Sequence, residues 1–151
     1  MSATLAAVRR LAGGDRAAIL EHLLALNRDD RYGRFASALS DDAIAGYVAR
    51  IALGDDLAFG LGCPLSAFIH LAMHGRIGEL GASVLPACRR QGQARRLFAA
   101  ALAQAGHLGI THVHLATGHP AAVYISRRLG YVVEIRPAVP HATIRLGDTG
   151  Q

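Results

Sequence analysis

Apolar residues recur with two different spacings along this chain, and the change between them separates helical from extended segments. Helical spacing predicts one helix with Asp15 as its N-cap, running to about residue 26, and a second that begins near Ser40. A third, long helix ends near Gly109 and carries one apolar face, formed by residues 94, 97, 98, 101, 102, 105 and 108. A fourth is predicted over Pro120–Leu129, because proline suits a first helical position and Gly130 suits the stop.

The remaining apolar segments have the length and composition of strands. They are residues 4–11, 56–62, 65–74, 76–85, 110–117, 131–136 and 141–146. Turn signals at Cys63-Pro64 and Gly75 predict that the second, third and fourth form an antiparallel meander. Residues 27–39 are polar and contain Gly33, which predicts a loop. The expected fold is one α/β (α+β) domain spanning residues 1–151, with helices on both faces of a mixed, mostly antiparallel sheet.

Composition supports a single folded domain. The chain has 151 residues, of which 52% are hydrophobic, and this excludes a disordered protein. No stretch approaches the length of about 18 uninterrupted apolar residues that a membrane span needs. Arg9 and Arg10 follow the first apolar run, whereas a secretory signal carries its charge before it, so a cytoplasmic location is expected. Cys63 and Cys88 are too few for a disulfide framework or a zinc site, so no metal is predicted.

Basic residues are concentrated in one place. Sixteen basic and eleven acidic residues give a net charge of +5, and four of the arginines fall within residues 89–96. A local cluster favours one bound anion over a long nucleic-acid track, and few aromatic side chains are present for base stacking. Nucleic acid is therefore not expected as a partner. Arginine without lysine, together with abundant alanine, indicates a GC-rich and hence bacterial genome.

The arginine cluster lies in a strand, a tight turn and the start of the long helix. Pro86 ends strand pairing because it has no amide proton, and Gly92 and Ala94 let a ligand approach the backbone. The first amides of a helix have no intrahelical acceptor, and the helix dipole is positive there. The segment therefore predicts a phosphate or pyrophosphate site. An ordinary helix start with solvated arginines is the alternative that these residues leave open.

This segment resembles motif A of the GNAT superfamily of acetyl-CoA-dependent N-acyltransferases. The residues that match its Val-x-Pro and Gln/Arg-x-x-Gly-x-Gly/Ala patterns are Val84, Pro86, Arg89, Gly92 and Ala94. The later segment 119–131 resembles motif B, with matches at Ala122, Leu129, Gly130 and Tyr131. The resemblance covers essentially the whole chain and is strongest over residues 76–131. It implies a sheet of about six or seven strands that splays after the fourth strand, with the thioester in the gap.

The resemblance also implies a set of residues that bind acetyl-CoA. The backbone of residues 82–84 would pair with the pantetheine arm as an added strand, and the amides of residues 90–95 would hold the pyrophosphate. His119 stands where the family usually has asparagine. The implied set is Ala82, Ser83, Val84, Arg89, Arg90, Gln91, Gly92, Gln93, Ala94, Arg95 and His119.

Three residues are candidates for proton transfer. Ser126 stands where the family usually has the tyrosine that protonates the leaving thiolate, while Tyr124 points elsewhere on the helix and is expected to pack. Glu79 is the first candidate for the base that accepts the amine proton, and His114 is the second. A solvated Glu79 and a water-facing His114 are the alternatives that stay open.

The implied function is transfer of an acetyl group to a primary amine, on a small molecule or a protein, by direct attack in a ternary complex. The alternative is a catalytically weak or inactive GNAT-like domain that binds acyl-CoA as a sensor or regulatory subunit, because the usual asparagine and tyrosine of motif B are replaced. The sequence does not identify the acceptor, although residues 27–42 would select it. A homodimer is one option for the oligomeric state.

Overall fold

A single seven-stranded sheet organises the protein in the computed structural model, which describes residues 7–116, 119–136 and 142–147. Its spatial order is β1-β2-β3-β4-β5-β7-β6. The strands are Arg9–Arg10 (β1), Leu57–Leu61 (β2), Ala67–His74 (β3), Ile77–Val84 (β4), His112–Leu115 (β5), Val132–Ile135 (β6) and Ala142–Arg145 (β7). Only β4 and β5 run parallel among these neighbours, so the predicted mixed, mostly antiparallel sheet is confirmed.

Helices cover both faces of the sheet. The α-helices are Arg16–Leu24 (α1), Arg28–Phe35 (α2), Asp41–Arg50 (α3), Gln93–His107 (α4) and Pro120–Arg128 (α5). Leu97 of α4 and Val123 of α5 belong to one apolar cluster, whereas Ile19 of α1 and Ile44 of α3 belong to another. Side chains alternate between the two faces along a strand, so β3 contributes residues to both clusters.

The prediction of a loop over residues 27–39 is wrong, because α2 occupies most of this segment. The side-chain oxygen of Asn27 caps the helix by accepting a bond of 2.8 Å from the amide of Asp30. Two aspartates in the first turn complement the helix dipole, and Ala36 ends the helix in the left-handed conformation, with φ 59°. The capping residues therefore favour a helix in a segment whose polar composition is typical of a loop.

The start of α1 also differs in detail from the prediction. Asp15 lies at the N-cap position, but its carboxylate accepts bonds from the Ala12 amide (2.8 Å) and the Arg9 guanidinium (3.0 Å), not from the first turn. These two bonds lower the pKa of Asp15. Ser40 does cap α3, accepting from the Ala43 amide at 3.1 Å. The predicted strand over residues 4–11 is present only as β1, and residues 1–6 lie outside the described part.

The other predicted helices and strands are present, with shorter bounds. In the ranges that the structure describes, no helix combines the length and the apolar character needed to cross a lipid bilayer.

The strands β4 and β5 separate before β4 ends. Their parallel ladder runs from Ile77 to Leu80, and the last bond is donated by the Ala116 amide to the Leu80 carbonyl at 2.8 Å. On its other side β4 stays paired with β3 as far as Val84. Residues 81–84 of β4 therefore face a gap, which confirms the predicted splay after the fourth strand. We refer to this side of residues 81–84 as the open edge of β4.

Candidate functional site

The open edge of β4 presents peptide groups to the gap. Leu80 turns its carbonyl toward β5, and alternate residues of a strand turn their peptide groups to the same side. Ala82 and Val84 therefore direct their N–H and C=O groups into the gap. Among the described residues, Val84 O accepts a bond only from Arg89 Nε, at 3.2 Å. An extended polar ligand can pair with this edge as an added strand would.

The turn that follows β4, residues 85–92, exposes amides at the start of α4. Arg90 and Gly92 both have positive φ, at 64° and 75°, which curls the backbone just before the helix. The first i→i−4 bond of α4 runs from the Arg96 amide to Gly92 O, so the amides of residues 93–95 have no intrahelical acceptor. A Cβ at Gly92 would meet no atom within 4 Å. The space beside Gly92 is therefore open, and the amides that begin α4 can bind an anion there.

Arginines strengthen the positive potential of this turn. The side chains of Arg90 and Arg95 are exposed, and that of Arg89 is 47% exposed while its Nη2 contacts Asp30 Oδ1 at 2.6 Å. Gln93 has a different task, because its side-chain oxygen accepts a bond of 2.7 Å from Ser66 Oγ and ties the helix start to the β2–β3 connection. Only the backbone amide of Gln93 remains available to a ligand.

A cleft of about 340 Å³ passes through the gap between β4 and β5. One wall comes from α2, another from α4 and α5, and the open edge of β4 lies between them. The residues predicted to bind the cofactor that line it are Ala82, Ser83, Val84, Arg89, Ala94 and His119. Arg90, Gln91, Gly92, Gln93 and Arg95 lie on the adjoining turn and helix start, outside the cleft itself.

Motif B residues divide between the cleft and the interior. His119 lines the cleft and caps α5, with Nδ1 accepting from the Ala121 amide at 3.2 Å. Ser126 is fully buried, and its hydroxyl donates to Ala122 O at 2.8 Å. The structure therefore does not bring Ser126 to the cleft. The expectation that Tyr124 packs is wrong, because this side chain is 65% exposed.

The two candidate bases lie side by side, two residues before the gap opens at residue 81. Glu79 and His114 are paired in the parallel ladder, so their side chains share one face of the sheet. Glu79 is exposed, and His114 Nδ1 lies 2.8 Å from Thr143 Oγ1. Neither residue lines the cleft. The structure therefore brings the two predicted bases next to each other, close to the gap but outside the cleft.

A partly buried hydrogen-bond chain that joins Asp56, just before β2, to side chains of α2, α3 and β3 was not anticipated from the sequence. Asp56 Oδ2 lies 2.9 Å from His70 Nε2, His70 Nδ1 lies 2.6 Å from the Tyr47 hydroxyl, and that hydroxyl accepts from Arg34 Nη2 at 2.8 Å. Burial lowers the pKa of His70 and raises that of Tyr47, and the nearby positive charge of Arg34 lowers both. The neutral imidazole donates to Asp56 and accepts from Tyr47, which fixes the Arg34 guanidinium.

A second buried histidine fixes the end of β4. His22 of α1 donates from Nδ1 to Leu65 O at 2.9 Å and accepts at Nε2 from the Ser83 hydroxyl at 2.8 Å. Burial lowers the pKa of His22, which favours the neutral form that this pattern requires. The side chain of Ser83 is therefore used within the protein, and only its backbone is left to the cleft.

Four residues of α2 also line the cleft, and the sequence had predicted that they belong to a loop. They are Asp29, Asp30, Gly33 and Arg34. The capping signal at Asn27, followed by two aspartates and a later arginine, could have identified this helix. Opposite Arg34, β4 carries Gly81, where a Cβ would overlap the guanidinium. A glycine at this position of the strand is required by the close approach of α2.

These features fit a ligand with an extended polar arm and a polyanionic end. The open edge of β4 suits the arm, and the amides and arginines of the β4–α4 turn suit the anion. Both lie on consecutive residues, 81–95, so one ligand can contact them together. This combination is independent of any resemblance in sequence.

Comparisons with known proteins agree with this geometry. The chain matches the model of the acetyltransferase (GNAT) family over residues 8–131. No curated protein sequence shows significant similarity to it. Among solved structures, the GNAT domain of PAT from S. lividans is 19% identical, with a TM-score of 0.72 over 92% of this chain and 88% of that one.

Two further solved structures have similar values. The ribosomal-protein-S18-alanine N-acetyltransferase from Escherichia coli is 16% identical, with a TM-score of 0.64 over 96% of both chains. YncA from Salmonella typhimurium, a putative acetyltransferase solved with acetyl-CoA, is 13% identical, with a TM-score of 0.67 over 98% of both chains. At these identities the likeness shows the fold, and the family match covers most of the sequence. The chain whose fourth strand opens onto this cleft therefore belongs to the GNAT family of acetyltransferases.

Proposed function

We propose that this protein is an N-acetyltransferase that moves the acetyl group of acetyl-CoA to a primary amine by direct attack. The observation that carries the proposal is the open edge of β4 beside the amides that begin α4. When bound, acetyl-CoA supplies an activated acetyl carbonyl, whose bond to sulfur breaks as its bond to the amine nitrogen forms. The products are the acetylated amine and CoA.

The residues of the β4–α4 region would hold the cofactor. The peptide groups of Ala82 and Val84 pair with the amide-containing arm, and the amides of residues 93–95 donate to the pyrophosphate. Arg89 contributes charge from the same turn. His119 lines the cleft beside them, at the start of α5. These groups lie on the cleft or on the turn beside it, so binding would require little rearrangement of the backbone.

The amine must lose a proton during attack, and Glu79 is the first residue that we assign to accept it. Glu79 lies on the strand that forms the open edge, two residues before the gap, with His114 beside it as the second candidate. A water molecule would relay the proton, since neither side chain lines the cleft. The leaving thiolate takes its proton from water, because the Ser126 hydroxyl donates to its own helix.

Initial-rate kinetics test direct attack. When acetyl-CoA and a reactive amine are varied together, transfer within a ternary complex gives intersecting double-reciprocal lines. Parallel lines would show an acetylated enzyme and contradict the proposal. Cys88 lies in the β4–α4 turn and is half-buried, so Cys88→Ala is the matched control for a thiol intermediate. We expect it to keep the parent rate.

The alternative is a domain that binds acyl-CoA with little or no turnover. The burial of Ser126 favours it, because the position at which the family usually has a thiolate acid cannot serve that role here. CoA binding without acetyl transfer to any of a panel of amino acids, polyamines, arylalkylamines and peptides would support this alternative. Saturable transfer to any of them with a turnover number of at least about 1 s⁻¹, in the usual range for enzymes, excludes it.

A further inference from the structure

The α2 wall of the cleft contains two unsatisfied polar atoms, which belong to side chains of opposite charge. Among the described residues, only Asp30 Oδ2 and Arg34 Nε are buried side-chain atoms that make no hydrogen bond. Both belong to α2, both side chains line the cleft, and they are four residues apart. Residues at i and i+4 of a helix lie on one face, about 5–6 Å apart between their Cβ atoms.

Arg34 is a buried cation without an ion-pair partner. The residue is 6% exposed, and none of the ion pairs in the described part of the chain includes it. Burying an unpaired charge is costly, so such a group is expected to meet an anion in its working state. Its guanidinium is already oriented, because Tyr47 accepts from Nη2 and the Phe35 ring lies 4.6 Å from Cζ.

Asp30 supplies the complementary charge one helical turn away. Its side chain is 13% exposed, and Oδ1 is held by Arg89 at 2.6 Å, which leaves Oδ2 for a ligand. An ammonium group bound at Oδ2 would lie on the α2 wall of the cleft, across from the open edge of β4. A carboxylate on the same ligand would then be within reach of Arg34.

We propose that Asp30 and Arg34 form the acceptor site for a small amino acid, binding its amino group and its carboxylate respectively. This inference rests on the proposed function and names its substrate class. The charge order disfavours polyamines, because a second ammonium group would meet the guanidinium. The cleft of about 340 Å³ is at the small end of ligand pockets and is shared with the cofactor, which favours a free amino acid over a protein.

Binding to the protein without cofactor tests this assignment by calorimetry and thermal melting. The probes are the standard L-amino acids, the methyl ester of each one that binds, and spermidine. We expect at least one free amino acid to bind, with its ester roughly 10- to 100-fold weaker, since the ester cannot accept charge-assisted bonds from Arg34. An ester or spermidine that binds as tightly as the acid, or no binding by any amino acid, would overturn the proposal.

Arg34→Met isolates the guanidinium while keeping a long apolar side chain. No carboxylate loses an ion-pair partner, so the variant should fold. We expect it to bind acid and ester equally. Arg28→Met, on the same helix but outside the cleft, is the matched control and should keep the preference for the acid. A folded Arg34→Met that still prefers the acid would refute the assignment.

Two further comparisons keep the result decisive. If Arg34→Met does not fold, Tyr47→Phe removes the bond that orients the guanidinium and should reduce the preference for the acid several-fold; an unchanged preference contradicts the proposal. Acetyl transfer separates this inference from the function itself. Equal acetylation of acids and esters would overturn the acceptor assignment and leave the transferase intact. Amino-acid binding that depends on Arg34, without acetyl transfer, would overturn the proposed transferase function and leave the binding site for the amino acid intact.

Discussion

Replacing Gly92 by glutamate tests the anion site at the β4–α4 turn most directly. The residue has φ +75°, and its Cβ would meet no atom within 4 Å, so the new side chain enters open space. The cost to folding then comes from the left-handed backbone and is roughly 1–2 kcal/mol. The added carboxylate lies beside the amides that begin α4, where it repels a pyrophosphate.

Gly109→Glu is the matched control. Gly109 follows the other end of α4, has φ +88° and is equally open, so this variant carries the same backbone strain and the same change in charge. Any difference between the two variants in ligand binding therefore reflects position alone. Both should melt below the parent protein.

The expected size of the effect follows from mass action. CoA at about 100 times its dissociation constant adds roughly 2.7 kcal/mol to the free energy of unfolding. For a chain of this size that corresponds to a rise in melting temperature of about 5–11 °C. In scanning fluorimetry, we expect Gly109→Glu to keep this rise and Gly92→Glu to lose it. A cooperatively melting Gly92→Glu with the full rise would place the pyrophosphate elsewhere.

Three other predictions concern proton transfer and pH. Glu79→Gln should lower the acetylation rate by about 10²–10⁴-fold with CoA affinity unchanged; the same loss in His114→Ala alone would assign the base to His114. Ser126→Ala should keep the parent rate and lose roughly 1 kcal/mol of stability, and a large loss of rate with normal CoA binding would contradict its structural role. Burial lowers the pKa of His22 and His70 in the folded state, so the unfolded chain takes up protons first as the pH falls. The contribution of these two histidines to the free energy of unfolding should therefore be constant well above pH 6.5, the pKa of histidine in the unfolded chain. Below that pH, the free energy of unfolding should fall by up to about 1.4 kcal/mol per pH unit for each histidine. A free energy of unfolding that urea titrations find unchanged down to about pH 5 would refute this.

The strand end, turn and helix start that form the proposed cofactor half of the site could be predicted from sequence, because they are local. A strand end, Pro86, Gly92 and the first turn of α4 lie within one continuous segment, so their geometry depends on neighbouring residues. The resemblance to motif A rests on the same short segment. The strand separation that opens the gap follows from the fold as a whole, and it was expected only through that resemblance.

The resemblance assigned the choice of acceptor to residues 27–42, but the geometry of the proposed acceptor half could not be predicted, because it depends on packing between distant segments. Arg34 is buried by contacts with Tyr47, thirteen positions away, and with Gly81 of the central strand. A polar helix with a buried arginine has the composition of a loop, which explains the error over residues 27–39. The burial of Ser126 also depends on tertiary packing. Sequence spacing places the residue on α5 but does not show which face of α5 is buried.

One strand can serve both halves of the site because its two kinds of group alternate. The peptide groups of Ala82 and Val84 point along the sheet into the gap, where the cofactor arm is expected to bind. The residues between and before them, Gly81 and Ser83, turn their side-chain positions toward α2 and α1. Gly81 leaves its position empty for the Arg34 guanidinium, and Ser83 anchors the strand through its hydroxyl. The backbone of β4 can thus bind the cofactor while the side-chain face of the same strand contacts α2. Substitutions in α2 could therefore change the acceptor without altering the edge of β4 that binds the cofactor.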